Sequence, residues 1–140
     1  MTYGETATGY QTLSLDTEDT WYQFEQASWT VVQNSGMTGN TTTGSLTSTV
    51  SFAVPVMIAV FVTAVTGSGD FQLAVFKNGS LMNYLIAENS DPTGFPISVG
   101  GLDIMNEGDV YDLRVRCTSG NSAAYEIYRA YLNVFAVGSA

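Results

Sequence analysis

The sequence predicts an all-β protein: an eight-stranded antiparallel jelly-roll sandwich with an extended N-terminal arm. Three observations lead there. Thr, Ser and Gly are abundant, Pro occurs only three times, and Val and aromatic residues are spread along the whole length, a composition that suits pleated, half-buried surfaces. No stretch carries the apolar spacing of an amphipathic helix. Short apolar runs alternate with turn-forming clusters at close intervals, the pattern of a sandwich or jelly roll. The 140 residues make one domain, of a size that buries about two-thirds of the surface its unfolded chain exposes.

Residues 1–20 (MTYGETATGYQTLSLDTEDT) are polar and alternate only over Gln11 to Leu15, which reads as the arm. It either lies along a neighbouring subunit or pairs with its own domain. Residues 21–140 form the single jelly-roll domain. Trp21–Phe24 and Ser28–Val32 are short strand candidates, and the turn-rich Asn34–Ser45 is a loop. Leu46–Val54 alternates and Val56–Thr66 is apolar on both phases. After a turn at Gly67–Asp70, Phe71–Lys77 and Leu81–Ala87 form a hairpin across Asn78-Gly79, a dipeptide that readily takes the positive φ angles of a two-residue turn. Glu88–Pro96 is a loop. Ile97–Met105 and Asp109–Cys117 form a second hairpin across Asn106-Glu107-Gly108. A turn at Thr118–Ala123 leads to the long final strand, Tyr125–Val137.

Alternate residues of a strand face opposite sides of its sheet. Asp109–Cys117 obeys the pattern of a half-buried strand: Tyr111, Leu113, Val115 and Cys117 share one phase, and Asp112, Arg114 and Arg116 the other. Cys117 is therefore expected to be a buried, inert thiol. Val56–Thr66 does not obey, with Met57, Ala59, Phe61 and Val65 on one phase and Ile58, Val60, Val62 and Ala64 on the other. The final strand behaves similarly, setting Tyr128, Ala130, Leu132 and Val134 against Ile127, Tyr131, Phe135 and Val137. Leaving a large apolar side chain in water forgoes roughly 1.5–3 kcal/mol, and soluble monomers seldom expose a contiguous patch of them. A second copy, another protein layer or the N-terminal segment must cover that surface.

The formal charge of −9, from 13 acidic and four basic residues, argues against nucleic acid and against anionic membrane surfaces as partners. A chain with no His and one Cys lacks the commonest general base and metal ligand and cannot build a structural zinc set. It contains no nucleophile-elbow, phosphate-loop or dinucleotide-binding motif. The expectation is a protein that is not an enzyme and has no catalytic residue, no metal site and no cofactor. The acids Asp16, Glu18 and Asp19, and Glu107, Asp109 and Asp112, lack the spacing of a calcium loop and read as solvated turn residues. Trp21, Tyr22, Phe24 and Trp29 crowd the first strands and read as core or interface anchors in preference to a sugar-stacking face. With no basic start and no apolar run in the first twenty residues, a secretory signal is not expected, so the protein is read as made in a cytoplasm.

Ser98-Val99-Gly100-Gly101-Leu102-Asp103-Ile104-Met105-Asn106-Glu107-Gly108-Asp109, running into the alternating Val110–Arg116, resembles the penultimate hairpin of the tumour necrosis factor and complement globular-head superfamily. Tyr131–Val137 is similar to its last strand, and Phe76-Lys77-Asn78-Gly79 to its mid-domain hairpin. These short motifs spread over roughly Leu46 to Val137. Ala53–Phe61 lacks the Gly-x-Tyr-x-Phe of the complement branch, and the pattern is more similar to small head and fibre proteins of tailed bacteriophages. The resemblance implies a homotrimer packed about a threefold axis, with Phe61, Val99, Tyr131 and Phe135 as contacts. It implies a capsid decoration (cement) protein on the outer surface of the virion, bound to the major capsid protein and made in the host cytoplasm. The arm would supply capsid contacts through Thr2, Tyr3, Tyr10, Leu13 and Leu15. The alternative is a trimeric fibre tip that binds a host glycan or protein receptor, with Asn34–Ser45 and Glu88–Pro96 as recognition loops.

Overall fold

The computed structural model describes residues 2–24, 28–66, 70–89, 95–119 and 125–137. Among these there is no helix, and twelve strands form two antiparallel sheets. The strands are β1 (Thr2–Thr8), β2 (Gln11–Leu13), β3 (Tyr22–Gln23), β4 (Trp29–Asn34), β5 (Met37–Gly39), β6 (Leu46–Ser48), β7 (Val54–Thr66), β8 (Asp70–Lys77), β9 (Ser80–Asn89), β10 (Phe95–Met105), β11 (Val110–Ser119) and β12 (Tyr125–Ala136). Sheet A runs β10-β7-β12-β1-β4, with β2 also against β12; sheet B runs β5-β6-β11-β8-β9, with β3 also against β11. The chain thus passes repeatedly from one layer to the other, as in a jelly roll, with β5–β6 and β8–β9 paired within sheet B.

The interior takes one phase from each long strand. Val54, Val56, Ile58, Val60 and Val62 of β7 and Ala130, Leu132 and Val134 of β12 meet Phe71, Leu73 and Val75 of β8 and Tyr111, Leu113, Val115 and Cys117 of β11. Cys117 is buried, as its phase predicts. The β8–β9 hairpin turns at Asn78 (φ 52°) and Gly79 (φ 79°), the left-handed conformations expected of Asn-Gly in a tight turn.

Twelve strands replace the expected eight because short ones hide in polar sequence. The chain leaves sheet B after Ser48 and bends at Ser51-Phe52 before β7 starts at Val54, so Leu46–Val54 is not one strand. Pro55 stands near the beginning of β7, where its missing N–H costs least, and its carbonyl accepts a hydrogen bond from Val137 N at 3.2 Å. The expected loop Asn34–Ser45 contains β5, whose Met37 is buried. The centres of the other expected turns, residues 67–69, 90–94 and 120–124, lie outside the described residues.

Of the two readings of the arm, the structure takes pairing with its own domain: Thr2–Thr8 and Gln11–Leu13 are strands of sheet A, seated between β12 and β4 or along β12, and Leu13 and Leu15 belong to the core. The segment reads as a tail because its inward side chains are small. Thr6 is completely buried, with its hydroxyl donating to Gly44 O at 2.6 Å, and Thr8 donates to Ser28 O at 3.1 Å. A threonine whose hydroxyl is satisfied by backbone fills an interior position without the desolvation cost of an unpaired polar group.

Candidate assembly face

The outward phase of sheet A is apolar at its centre and along its β10 edge. The register sets Leu102 opposite Met57, Ser98 opposite Phe61 and Ile104 opposite Pro55, with Tyr131 opposite Phe61 and Phe135 opposite Met57 on the other side of β7. All these side chains share one surface. Met57 is 39% exposed, Phe61 40%, Ile104 53% and Leu102 60%, and the Phe61 and Tyr131 rings lie 6.4 Å apart between centroids. Pro55, Leu102, Ile104 and Val137, with Val56 and Asp103, line an open depression of about 340 Å³ near the end of β10.

Sheet B handles its outward aromatic differently. Phe76 points away from the core yet is only 5% exposed. The chain before and through β3 pairs along β11 and turns one ring over this face: Asp19 N donates to Cys117 O at 2.8 Å, Tyr22 and Gln23 lie opposite Val115 and Arg114, and Trp21 packs edge-on against Phe76 at 5.4 Å. Two guanidiniums complete the cover. Arg114 lies 4.3 Å from the centroid of the Phe76 ring and Arg116 lies 4.6 Å from that of Trp21. Arg114 also donates to both carboxylate oxygens of Asp112, at 2.7 and 3.1 Å, and Arg116 donates to Gln72 at 2.7 Å. The buried Asp112 is therefore the anchor of an ion pair and not a solvated turn acid.

A polar cluster ties the β10 edge of sheet A to sheet B. Lys77 Nζ lies 2.7 Å from Asp103 and 3.3 Å from Asp109, and donates to Ile104 O at 2.9 Å. Tyr111 donates its hydroxyl hydrogen to Asp103 at 2.6 Å. Asp109 also accepts from Asn106 N and Asn78 Nδ2, both at 2.8 Å, so it too departs from the expected solvated turn. Burial by itself would push the Lys77 ammonium down, but Asp103 and then Asp109 hold it above its ordinary value. Burial opposes ionisation of Asp109, yet the Asn106 N–H, the Asn78 amide and Lys77 together hold its carboxyl below the usual range. Burial first, and the Asp103 carboxylate second, push the Tyr111 phenol far up. Asp103 thus pins the strand that carries Leu102 and Ile104.

Of the four contacts implied by the resemblance, Phe61, Tyr131 and Phe135 share the outward phase of sheet A. Val99 does not: it pairs with the buried Val60 and packs against the core, because the inward phase of β10 is the one that carries Val99 and Asp103. Thr2 and Tyr3 are half-buried at the start of β1, and Tyr10 is exposed. Phe24 and Trp29 are core residues, while Trp21 belongs to the cover of sheet B. Leu102, Ile104 and Met57 were legible as apolar but not as neighbours, since only the β10–β7 register brings them together. Among the described residues no group of three or more His, Cys, Asp or Glu side chains converges to hold a metal ion.

Two five-stranded paths of a jelly roll, with the first and last long strands side by side in one sheet, define the class: this is a jelly roll of the tumour necrosis factor and complement-head type. No protein family matches the sequence, and no curated protein does. Solved structures do match in fold. Eiger TNF from S. frugiperda superposes with a TM-score of 0.61 at 13% identity, covering 99% of this chain and 94% of that one. The globular domain of zebrafish complement 1qA gives 0.59 at 12% identity, with 98% and 99% covered. The PRD1 vertex protein P5 gives 0.60 at 12% identity, with 95% and 98% covered.

Proposed function

We propose that the protein is a homotrimeric structural component of a tailed-bacteriophage virion: a decoration (cement) protein on the outside of the head that binds the major capsid protein and stabilises the assembled shell. The bare apolar face of sheet A is the observation that carries this reading. Covering the exposed part of each large side chain there contributes on the order of 1 kcal/mol, and a head-to-tail contact that closes into a ring leaves no such face in water. Phe61, Tyr131 and Phe135, joined by Met57, are the contacts of that ring. Likeness to a vertex protein supports placement on a closed shell, and a charge of −9 favours the outside of the shell over contact with the packaged genome.

The action is mechanical. A trimer seated over a junction of capsid subunits makes three linked contacts whose combined strength exceeds that of any one. Binding the assembled lattice and not the free subunits stabilises the lattice by mass action. With β1 and β2 inside the sandwich, capsid contact falls to the ends of the domain, where Phe52 stands exposed on the bend before β7. Light scattering on the purified protein should give three times the chain mass. Added to undecorated empty heads of the encoding phage, the protein should bind in a ratio tied to the lattice and raise their melting temperature. A monomer in solution, or heads whose melting does not change, would sink the proposal.

A further inference from the structure

Near the start of β12, sheet A breaks its own ladder. β1 pairs as far as Thr8 with Ala130, and β2 resumes in the same register at Gln11 with Ile127. That register sets Gly9 and Tyr10 across from Arg129 and Tyr128, at two positions where neither strand pairs with the other. The residues in this gap run against the economy of a folded domain. Tyr10 is 58% exposed and Tyr128 45%, their rings meeting at 5.4 Å and tilted by 50°. In the next position, both side-chain amide atoms of Gln11 are cut off from solvent and have no hydrogen-bond partner. Beside the gap, Ala7, Thr8, Gly9, Thr30, Arg129 and Tyr131 line an open cleft of about 210 Å³.

The cleft differs in chemistry from the apolar depression at the other end of β12. Arg129 donates to the Tyr131 hydroxyl at 3.3 Å, which leaves the remaining donors of the guanidinium fork for other acceptors. Thr30 adds an exposed hydroxyl, and next to the cleft, outside its lining, the exposed Tyr10 and Tyr128 present flat apolar faces with polar rims. Exposed aromatic faces beside a few convergent donors and acceptors are what a sugar ring requires: its C–H faces stack on the rings, and its hydroxyls pair with the guanidinium and the hydroxyl groups. Departures from local folding rules that nothing in the fold offsets mark functional positions. A chain of net charge −9 repels polyanionic glycans, so the class favoured is a neutral saccharide.

We propose that Tyr10, Tyr128, Arg129, Thr30 and Tyr131 form a binding site for a neutral hexose, the terminal unit of a glycan. The site is complete within one copy and does not rest on the assembly reading. Tyr131 stands on the border between the two, its ring against Phe61 and its hydroxyl toward Arg129.

Saturation-transfer NMR on the intact protein, with glucose, galactose, mannose and N-acetylglucosamine each at millimolar concentration, tests the proposal. At least one hexose should receive magnetisation from tyrosine ring protons and shift the amide signals of Gly9, Thr30 and Arg129. Tyr128→Ala should weaken that binding about tenfold while oligomeric state and melting temperature stay unchanged. Arg129→Ala, equally exposed, should do the same and serves as the second variant if Tyr128→Ala disturbs the fold. Failure of all four hexoses to bind the unaltered protein would overturn the proposal, and so would binding that both substitutions leave intact.

Discussion

The two sheets of this sandwich each carry aromatic residues on the outward side, and they treat them in opposite ways. Sheet B sheathes Phe76 with Trp21, Arg114 and Arg116, and neutralises the buried Asp112 with the same arginine that stacks on the ring. Sheet A leaves Met57, Phe61, Leu102 and Ile104 bare. The N-terminal segment explains the difference. Its first strands pair beside β12 in the row of sheet A, and β3 pairs beside β11 in the row of sheet B, where Trp21 just before it reaches over Phe76. The Phe76 patch of sheet B is covered by its own chain, although Tyr84 of the same sheet stays 57% exposed, while the centre of sheet A is bare. A protein that must associate through one surface gains specificity by closing off the competing one.

The sharpest way to break this comparison is to place charges on the bare face. The double variant Phe61→Asp/Phe135→Asp should weaken self-association more than about a hundredfold and give monomers by light scattering. Its unfolding free energy as a monomer should stay close to that of the parent, because both side chains lie outside the core. On sheet B the expected effects are the reverse. Arg114→Ala strands the Asp112 carboxylate and should cost about 3 kcal/mol in urea unfolding, with the variant still assembling when folded. Trp21→Ala uncovers Phe76 and removes the ring beneath Arg116, for a loss of about 1–2 kcal/mol, again without changing the oligomer.

The smallest expected effect comes from the acid limb of the cluster that joins the two sheets. The folded Asp109 has a pKa below its ordinary 3.8, so its contribution is complete above that pH and is lost as pH falls through the folded value. Lys77 and Tyr111 are raised above 10.5 and 10.0. Their contributions are complete below those values and fade as the solution becomes more alkaline. Urea midpoints measured across the pH scale should therefore show a plateau with a shallow decline at the acid end and a steeper one at the alkaline end, where the unfolded Tyr111 ionises and the folded one does not. Lys77→Met should reduce the acid limb, because Asp109 loses the cation that helps to keep it ionised.

Several features were legible because they depend on local chemistry. The Asn78-Gly79 turn follows from the φ angles those two residues tolerate. The phase of β11 follows from the contrast between Tyr111, Leu113, Val115 and Cys117 on one side and Asp112, Arg114 and Arg116 on the other. The strands β1, β2 and β5 were not legible as parts of the sandwich, since threonine and glycine fill interior positions there and provide no apolar period. The Tyr10–Tyr128 pair beside the cleft was equally hidden: the two residues stand more than a hundred positions apart, and only the shared register of β1 and β2 along β12 brings their rings together.

By itself, the order of residues determined that this chain forms antiparallel strands, that a hairpin turns at Asn78-Gly79, and that apolar side chains stand on both phases of β7. These are consequences of a two-residue period and of turn stereochemistry, which act over neighbouring positions. The expected hairpin across Asn106-Glu107-Gly108 is instead a crossing from β10 in sheet A to β11 in sheet B. Tertiary structure alone decided which phase of β7 and β12 faces in, that Val99 turns inward, that Leu13 and Leu15 join the core, and that Trp21 covers Phe76 on sheet B. A strand that is apolar on both sides has no preferred orientation of its own, so the choice passes to the distant strands that pair with it and pack against it.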